Sequence, residues 1–310
     1  MKWLKQLRKT AVRQGRLSPA GRAVLLGSAI ASHPADYLQR RLAAVRYNQQ
    51  WPARDMSEEG GYALLPAGSL PGTPQILDTC RRLFEPKQAA IAAAPGANAV
   101  SRRKGSFLKN LLDVDDLRAN PDLVDFALSD ALLSIVTNYL GVVPTVNSVD
   151  LVYSIARAGA AEPISSQLFH QDPEGLRQAK LFLNVFDVHA PEGPFMFIPA
   201  AESERAVLAI RAERRKRGGS PDSARYTDEE VSAHGGTAAT IRLAGPAGTA
   251  ALVDTSRCLH AGSRVEPGHF RLVLFIQYVT SREKGRSLDG QRFRTDPVRW
   301  LAVKRHASGG

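Results

Sequence analysis

Residues 167–188 read QLFHQDPEGLRQAKLFLNVFDV, and two features of this stretch decide the fold. The second half, KLFLNVFDV over 180–188, is short, rich in aromatic and branched residues, and bounded by turn formers, which reads as a buried strand. The first half holds His170 and Asp172 at i and i+2, the spacing at which side chains on an extended chain point the same way. Outward from here the texture stays that of strands. Residues 146–155 alternate apolar with polar, and a loop over 156–166 leads back to 167–170. Downstream, Glu192-Gly193-Pro194 turns into a strand over 195–198, and further strands follow at 249–253 and 270–280.

Before residue 145 the pattern is helical. A helix is predicted over 35–46, then a short strand over 62–65 and a helix over 75–84 carrying the stripe Ile76, Cys80, Leu83 and Phe84. Residues 96–105 read as loop. Two or three helices fill 108–140, the last capped by Ser129 or Asp130 and stopped at Gly141. Strands joined by turns after a helical first half predict an α+β chain with a mainly β core, an antiparallel barrel or sandwich backed by N-terminal helices. Residues 201–240 interrupt the strands with a basic helix over 202–217 and then glycine-rich segments, and are read as a flexible insertion, either a substrate loop or a solvated excursion.

At 310 residues, 44% hydrophobic and 23% charged, the chain suits one large globular domain over 51–285, with a basic, partly helical arm over 1–50 and a tail over 286–310. No apolar run is long enough to span a bilayer. Two cysteines, Cys80 and Cys258, provide neither a disulfide framework nor zinc-ligand spacing, and a reducing cytoplasm is expected. The net charge is +11; residues 1–50 hold ten basic residues and one acid, so +9 sits there and +2 on the remaining 260. Such a leader suits packing on the domain or a neighbouring subunit, attachment to an anionic membrane surface through residues 1–30, or nucleic acid. Nothing later in the chain supports nucleic-acid recognition: there is no recognition helix, zinc finger or aromatic RNA-binding motif.

Two imidazoles and one carboxylate can hold a divalent iron on one face of its octahedron and leave three positions open. His170 and Asp172 supply two such donors and His260 is a candidate third, with His269 as its rival; His189, before a turn, reads as a surface residue. Arg271 opens the apolar strand RLVLFIQY, where a buried cation calls for an anionic partner. Alone, H-x-D is also the spacing of an ordinary hydrogen-bonded turn pair. Lys180 and Asn184 share one face of their strand and suit either cosubstrate contact or structural hydrogen bonding. Tyr153 and Gln167 are candidate pocket residues, Glu174 a turn residue, and Cys258 a buried residue rather than a thiolate ligand.

The runs FHQDPEG, KLFLNVFDVHAPEGPFMFIPAAES and VDTSRCLHAGSRVEPGHFRLVLFIQY, with EEGGYALLPAGSLP before them, occur in the order found in the phytanoyl-CoA dioxygenase family, which this chain resembles over residues 57–280. The resemblance implies a double-stranded β-helix, a cupin-like jelly roll with a metal at its open end. It implies His170, Asp172 and His260 as ligands of Fe(II), and Arg271 as the grip on the distal carboxylate of 2-oxoglutarate, with O2 as second cosubstrate. It implies oxidation of a small-molecule C–H bond, with succinate and CO2 released; Asp172 stands where a halogenating variant would have a small residue. Two departures are visible. Pro199 is followed by Ala200-Ala201-Glu202-Ser203 instead of glycine-serine-histidine, and position 262 is glycine where a hydroxyl is frequent, with Ser263 beside it. Two other functions fit the same residues: a zinc hydrolase, which leaves Arg271 unused, and an oxygenase-like binding protein working through its basic arm.

Overall fold

The computed structural model describes residues 27, 30–53, 55–93, 107–157, 162–172, 177–218, 223–236, 238–280, 288 and 290–303. The leader's membrane contact over 1–30 falls almost entirely outside them, and Glu174 and the whole loop over 96–105 do too. The chain mixes helices with antiparallel sheet. In order come α1 (Pro34–Gln50), β1 (Tyr62–Leu65), α2 (Thr73–Ala93), β2 (Leu108–Asn110), α3 (Val114–Ala119), α4 (Pro121–Ala127), α5 (Asp130–Leu140) and β3 (Thr145–Ile155). Then follow β4 (Phe169–His170), β5 (Gln178–Asn184), β6 (Met196–Phe197), α6 (Ala200–Lys216), β7 (Arg225–Tyr226), α7 (Asp228–Ala233), β8 (Ile241–Arg242), β9 (Ala250–Val253), β10 (His260–Ala261), β11 (Phe270–Val279) and α8 (Pro297–Val303).

The strands form two sheets, one of six in the order β1-β9-β5-β11-β3-β2 and one of five in the order β7-β4-β10-β6-β8, every pairing antiparallel. Period-two alternation sorts each strand into an outer and an inner face. Leu151 and Tyr153 of β3, Leu181 and Leu183 of β5, and Leu272 and Leu274 of β11 point outward into one core with the helices. The inner face of the same sheet carries Lys180, Phe182, Asn184 and Arg271. On the smaller sheet, Phe169, Met196, Tyr226 and Ala261 point outward under α6, packing with Ala206, Val207 and Ile210. Its inner residues Phe197 and Ile241 meet Phe182, Ala251 and Val253 of the larger sheet, and Phe195 stacks on Phe182 at 3.8 Å between ring centroids. The two sheets therefore face one another across an aromatic floor.

The helices are apolar for the same reason. α5 buries eight residues, among them Leu132, Leu133 and Val136, and ends on Gly141 at φ +70°, a conformation that carries little cost only for glycine. Each fully buried aliphatic side chain contributes about 1.5–3 kcal/mol. No single described helix is long and apolar enough to cross a membrane; the bent pair α4–α5 passes on composition, and its residues are buried in the core. α1 is tied to the domain, since Arg40 donates to the carbonyls of Val143 and Pro144 and the Tyr47 hydroxyl to Asp130. Within the tail, α8 buries Leu301, Ala302 and Val303.

Several elements differ from the sequence expectation. α2 runs past Phe84 to Ala93 with Pro86 inside it, because the buried stripe on the sheet holds the helix through one missing N–H. The strand predicted over 180–188 stops at Asn184, and Val188 makes only an isolated bridge to Gly245. Residues 108–110 pair with β3 instead of opening a helix. The insertion is not a flexible excursion: β7 pairs with β4, and Tyr226 is 1% exposed under α6.

Candidate metal centre

The inner face of the smaller sheet brings the two histidines together. His260 of β10 is the direct register partner of His170 of β4, and direct partners in an antiparallel ladder project side chains on one face. Their rings lie 4.2 Å apart between centroids. Asp172 sits just beyond the end of β4, where its backbone N–H donates to the Thr255 carbonyl at 2.8 Å. Its carboxylate reaches both rings: Oδ1 is 3.7 Å from His170 Nε2 and Oδ2 is 3.3 Å from His260 Nε2. One donor atom from each residue lies within 4.8 Å of the others.

Each imidazole is oriented by the chain just before it. His170 Nδ1 lies 2.9 Å from the Leu168 carbonyl and His260 Nδ1 lies 3.1 Å from the Cys258 carbonyl. A carbonyl only accepts, so each Nδ1 carries the proton and each Nε2 presents its lone pair toward Asp172. Burial holds the His170 pKa well below the usual histidine range, and the facing His260 pushes it further down. The Asp172 carboxyl is also held well below its usual range: burial raises it, but the Lys180 ammonium and then His260 outweigh that. Two imidazoles that each present Nε2, with one ionised carboxylate, form a donor set that suits a divalent first-row metal, and the triad is compatible with Fe(II).

Lys180 approaches from the opposing sheet. Its Nζ donates to Asp172 Oδ2 at 2.6 Å and lies 5.4 Å from the centre of the Phe275 ring. It therefore holds the carboxylate of the donor set, where the sequence reading left cosubstrate contact open. Asn184 is 1% exposed, and its side-chain amide donates to the Leu243 carbonyl, a structural bond.

Arg271 is 5% exposed on the inner face of β11. Its Nη1 donates to the Gly193 carbonyl at 2.7 Å, and its Nη2 lies 3.4 Å from Ser263 Oγ. Its Nε has no partner, and no described carboxylate lies within ion-pair distance. Burial without an anion lowers its pKa to about 10. Gly193 sits at φ +64° with the Arg264 backbone 2.5 Å from where a Cβ would be, which accounts for glycine there. Ser263 is one of two described non-glycine residues at positive φ (61°), and this kink brings its hydroxyl between Ser154 Oγ, at 2.9 Å, and Arg271. A Cβ at Gly262 would stand 3.2 Å from Arg271 Nη2.

The other candidates lie elsewhere. Tyr153 is on the outer face of β3, packed against Phe84 and Phe270, and the structure does not bring it to the triad. Gln167 spends its side chain on the Ser263 carbonyl and the Ile164 N–H. His269 pairs with Glu192 at 2.7 Å, away from the donor set. Cys258 is buried, with its thiol near the Gly60 and Gly61 carbonyls, and burial pushes its pKa well up. Ala200 and Ala201 open α6, and Ser203 bonds the Ile198 carbonyl and the Leu259 N–H, locking β6 to the approach of β10. Sequence reasoning missed Gly193 and Arg225, the register partner of His170. The first had a signal in Glu-Gly-Pro; the second had one in Thr227-x-x-Glu230, a capping box that fixes where α7 starts.

The fold and site together define a two-sheet protein with a buried histidine–carboxylate–histidine donor set beside a buried guanidinium. No family model matches the chain, and no curated protein does. Among solved structures it is similar to HygX from Streptomyces hygroscopicus, determined with nickel and 2-oxoglutarate bound, at 16% identity and a TM-score of 0.48 over 75% of this chain and 88% of that one. It is also similar to the apo form of EctD from S. alaskensis (14%, TM-score 0.47, 81% and 82% covered). A third is SnoK, a non-heme alpha ketoglutarate dependent carbocyclase from nogalamycin biosynthesis (14%, TM-score 0.43, 76% and 82%). Likeness at these scores carries no chemistry across.

Proposed function

We propose that the protein is an Fe(II)- and 2-oxoglutarate-dependent oxygenase of the phytanoyl-CoA dioxygenase type, built on a double-stranded β-helix and hydroxylating a C–H bond of a small molecule. The observation that carries this reading is Arg271. A buried guanidinium with an orphaned Nε and no acid paired to it among the described residues is expensive, and a dicarboxylate bound beside the triad would provide the partner. A zinc hydrolase leaves that cation unexplained.

The chain's own residues bind and orient. His170, Asp172 and His260 would hold the metal through two Nε2 atoms and one carboxylate oxygen. Lys180 keeps Asp172 ionised and fixes its Oδ2. Arg271, steered by Gly193 and Ser263, would take the distal carboxylate of 2-oxoglutarate. Phe182, Phe195 and Phe197 close the interior below the site and exclude water. When bound, iron and 2-oxoglutarate supply the oxidation: O2 delivers one oxygen to succinate and one to the substrate, and CO2 leaves. Succinate formation from 2-oxoglutarate with Fe(II) and O2, measured across a broad substrate panel, tests the reading. It is expected in the natural protein and absent in Asp172→Ala; equal turnover in both, or none with any substrate, overturns it.

A further inference from the structure

α1 is apolar on the side that packing does not use. Its inward face carries Arg40, Ala44 and Tyr47, all buried, and these tie it to the carbonyls of Val143 and Pro144 and to Asp130. On the opposite face Leu38, Leu42 and Val45 stand at i, i+4 and i+7, which is one stripe of a helix. They are 56%, 51% and 47% exposed. A helix lying on a domain ordinarily turns its apolar stripe inward and its polar residues out. α1 keeps an aliphatic stripe in solvent.

Charge narrows down what covers that stripe. At roughly 3.6 residues per turn, Arg41 falls about 60° to one side of Leu38 and Arg46 about 80° to the other. Both arginines are exposed, and the bond from Arg41 to the Gly141 carbonyl leaves its charge in place. The one acid of the helix, Asp36, is bonded to Arg40 on the inward side. The outer face is therefore an aliphatic stripe between two guanidiniums, with no carboxylate of α1 beside it. The sequence leading into the helix has the same character. Residues 1–30 hold seven basic residues and no acid, interleaved with Trp3, Leu4, Leu7 and Val12.

We propose that the outer face of α1 seats the protein on an anionic lipid bilayer. Leu38, Leu42 and Val45 enter the headgroup boundary, and Arg41, Arg46 and the cations of the leader meet the lipid anions. A shallow stripe suits such a surface, where an amphipathic helix sinks only about 5–10 Å. Flanking arginines suit it too, since their long stems lie along apolar surface while the charged ends stay with the headgroups. A second copy of the chain fits less well. Pairing this face with itself would set arginine against arginine with no acid between them. Three half-exposed aliphatic side chains also offer only roughly 250 Å², far below the ~800 Å² per partner of a stable interface.

The test is sedimentation of the full chain with two kinds of vesicle, pure phosphatidylcholine and phosphatidylcholine enriched in phosphatidylserine. Binding to the second is expected to be at least about tenfold tighter and to weaken as salt is added. The triple variant Leu38→Gln, Leu42→Gln, Val45→Thr should bind about tenfold less well. Arg46→Glu should weaken binding to a similar degree, about tenfold, and only on the phosphatidylserine vesicles. Binding to neither vesicle, or equally to both, overturns the proposal. So does a triple variant that binds as the natural protein does, because the leader then attaches without α1. Sedimentation velocity without lipid covers the remaining occupant: dimerisation that the triple variant abolishes would assign the stripe to a second copy and refute the membrane reading.

Discussion

Replacing Arg271 with methionine should make the protein more heat-stable and end its response to 2-oxoglutarate. Burial lowers the Arg271 pKa from the ordinary arginine value to about 10. At ~1.36 kcal/mol per pH unit, keeping the buried guanidinium charged without an anion costs about 3 kcal/mol. The folded value lies below the unfolded one, so the cost applies in full below about pH 10 and fades only at higher pH; no ordinary buffer relieves it. Methionine preserves much of the side-chain volume and removes the charge, but orphans the Gly193 carbonyl, a loss of about 1 kcal/mol. The net gain of about 2 kcal/mol, spread over an unfolding entropy of ~2.1 cal/mol/K per residue, raises Tm by about 3 °C. Adding 2-oxoglutarate at a hundred times its Kd to the metal-loaded natural protein contributes about 2.7 kcal/mol, or about 4 °C. Calorimetric melts with Ni(II), with and without 2-oxoglutarate, should therefore cross. The variant melts higher alone, and the natural protein melts higher with ligand. A variant that melts several degrees lower than the natural protein, or that 2-oxoglutarate stabilises equally, refutes the reasoning.

Other substitutions probe the supports of the site. Asp172→Ala breaks a buried ion pair and should cost about 3–5 kcal/mol in denaturant titrations, with Lys180→Met added to it restoring part of that. Gly193→Ala drives a Cβ into the Arg264 backbone at positive φ; a loss of about 2 kcal/mol or more in stability, together with weaker 2-oxoglutarate binding, is expected by melting and calorimetry. Asp228→Asn removes one side of a half-exposed pair with Arg264, so global Tm should move by less than about 2 °C. Amide exchange at Tyr226 should nonetheless quicken, and unchanged exchange there would show that the pair does not hold β7.

What could be read in the chain follows from how local each signal is. β1 was legible to the residue, because Tyr62–Leu65 is a short apolar run between clear breakers. The donors were legible because His170-x-Asp172 is one strand end and His260 has few competitors. Tyr153 shows a signal misread: Val149, Leu151 and Tyr153 share one parity and Asp150 and Ser154 the other, so the alternation already set Tyr153 on the outer, helix-packed face. Lys180 shares a strand face with Asn184, which the alternation records, but its partner Asp172 depends on how the two sheets are spaced, which no single strand records. The insertion was obscured by its glycines. Tyr226 is anchored by side chains of α6, so its burial is a tertiary fact.

The twin arrangement in which His170 and His260 each donate Nδ1–H to the carbonyl two residues earlier has a consequence for how the protein acquires its ion. Both rings are locked in one tautomer by backbone already committed to strands β4 and β10. Both donor nitrogens are thus oriented by the backbone, and metal uptake demands no ring flip. The cation completes a finished socket instead of nucleating one, in contrast to small zinc modules that collapse without their ion. Occupancy is accordingly governed by supply and the Irving–Williams order: nickel or cobalt offered in excess enters as readily as iron. Purified protein should be folded whatever it carries, and its metal content will reflect the medium it was made in.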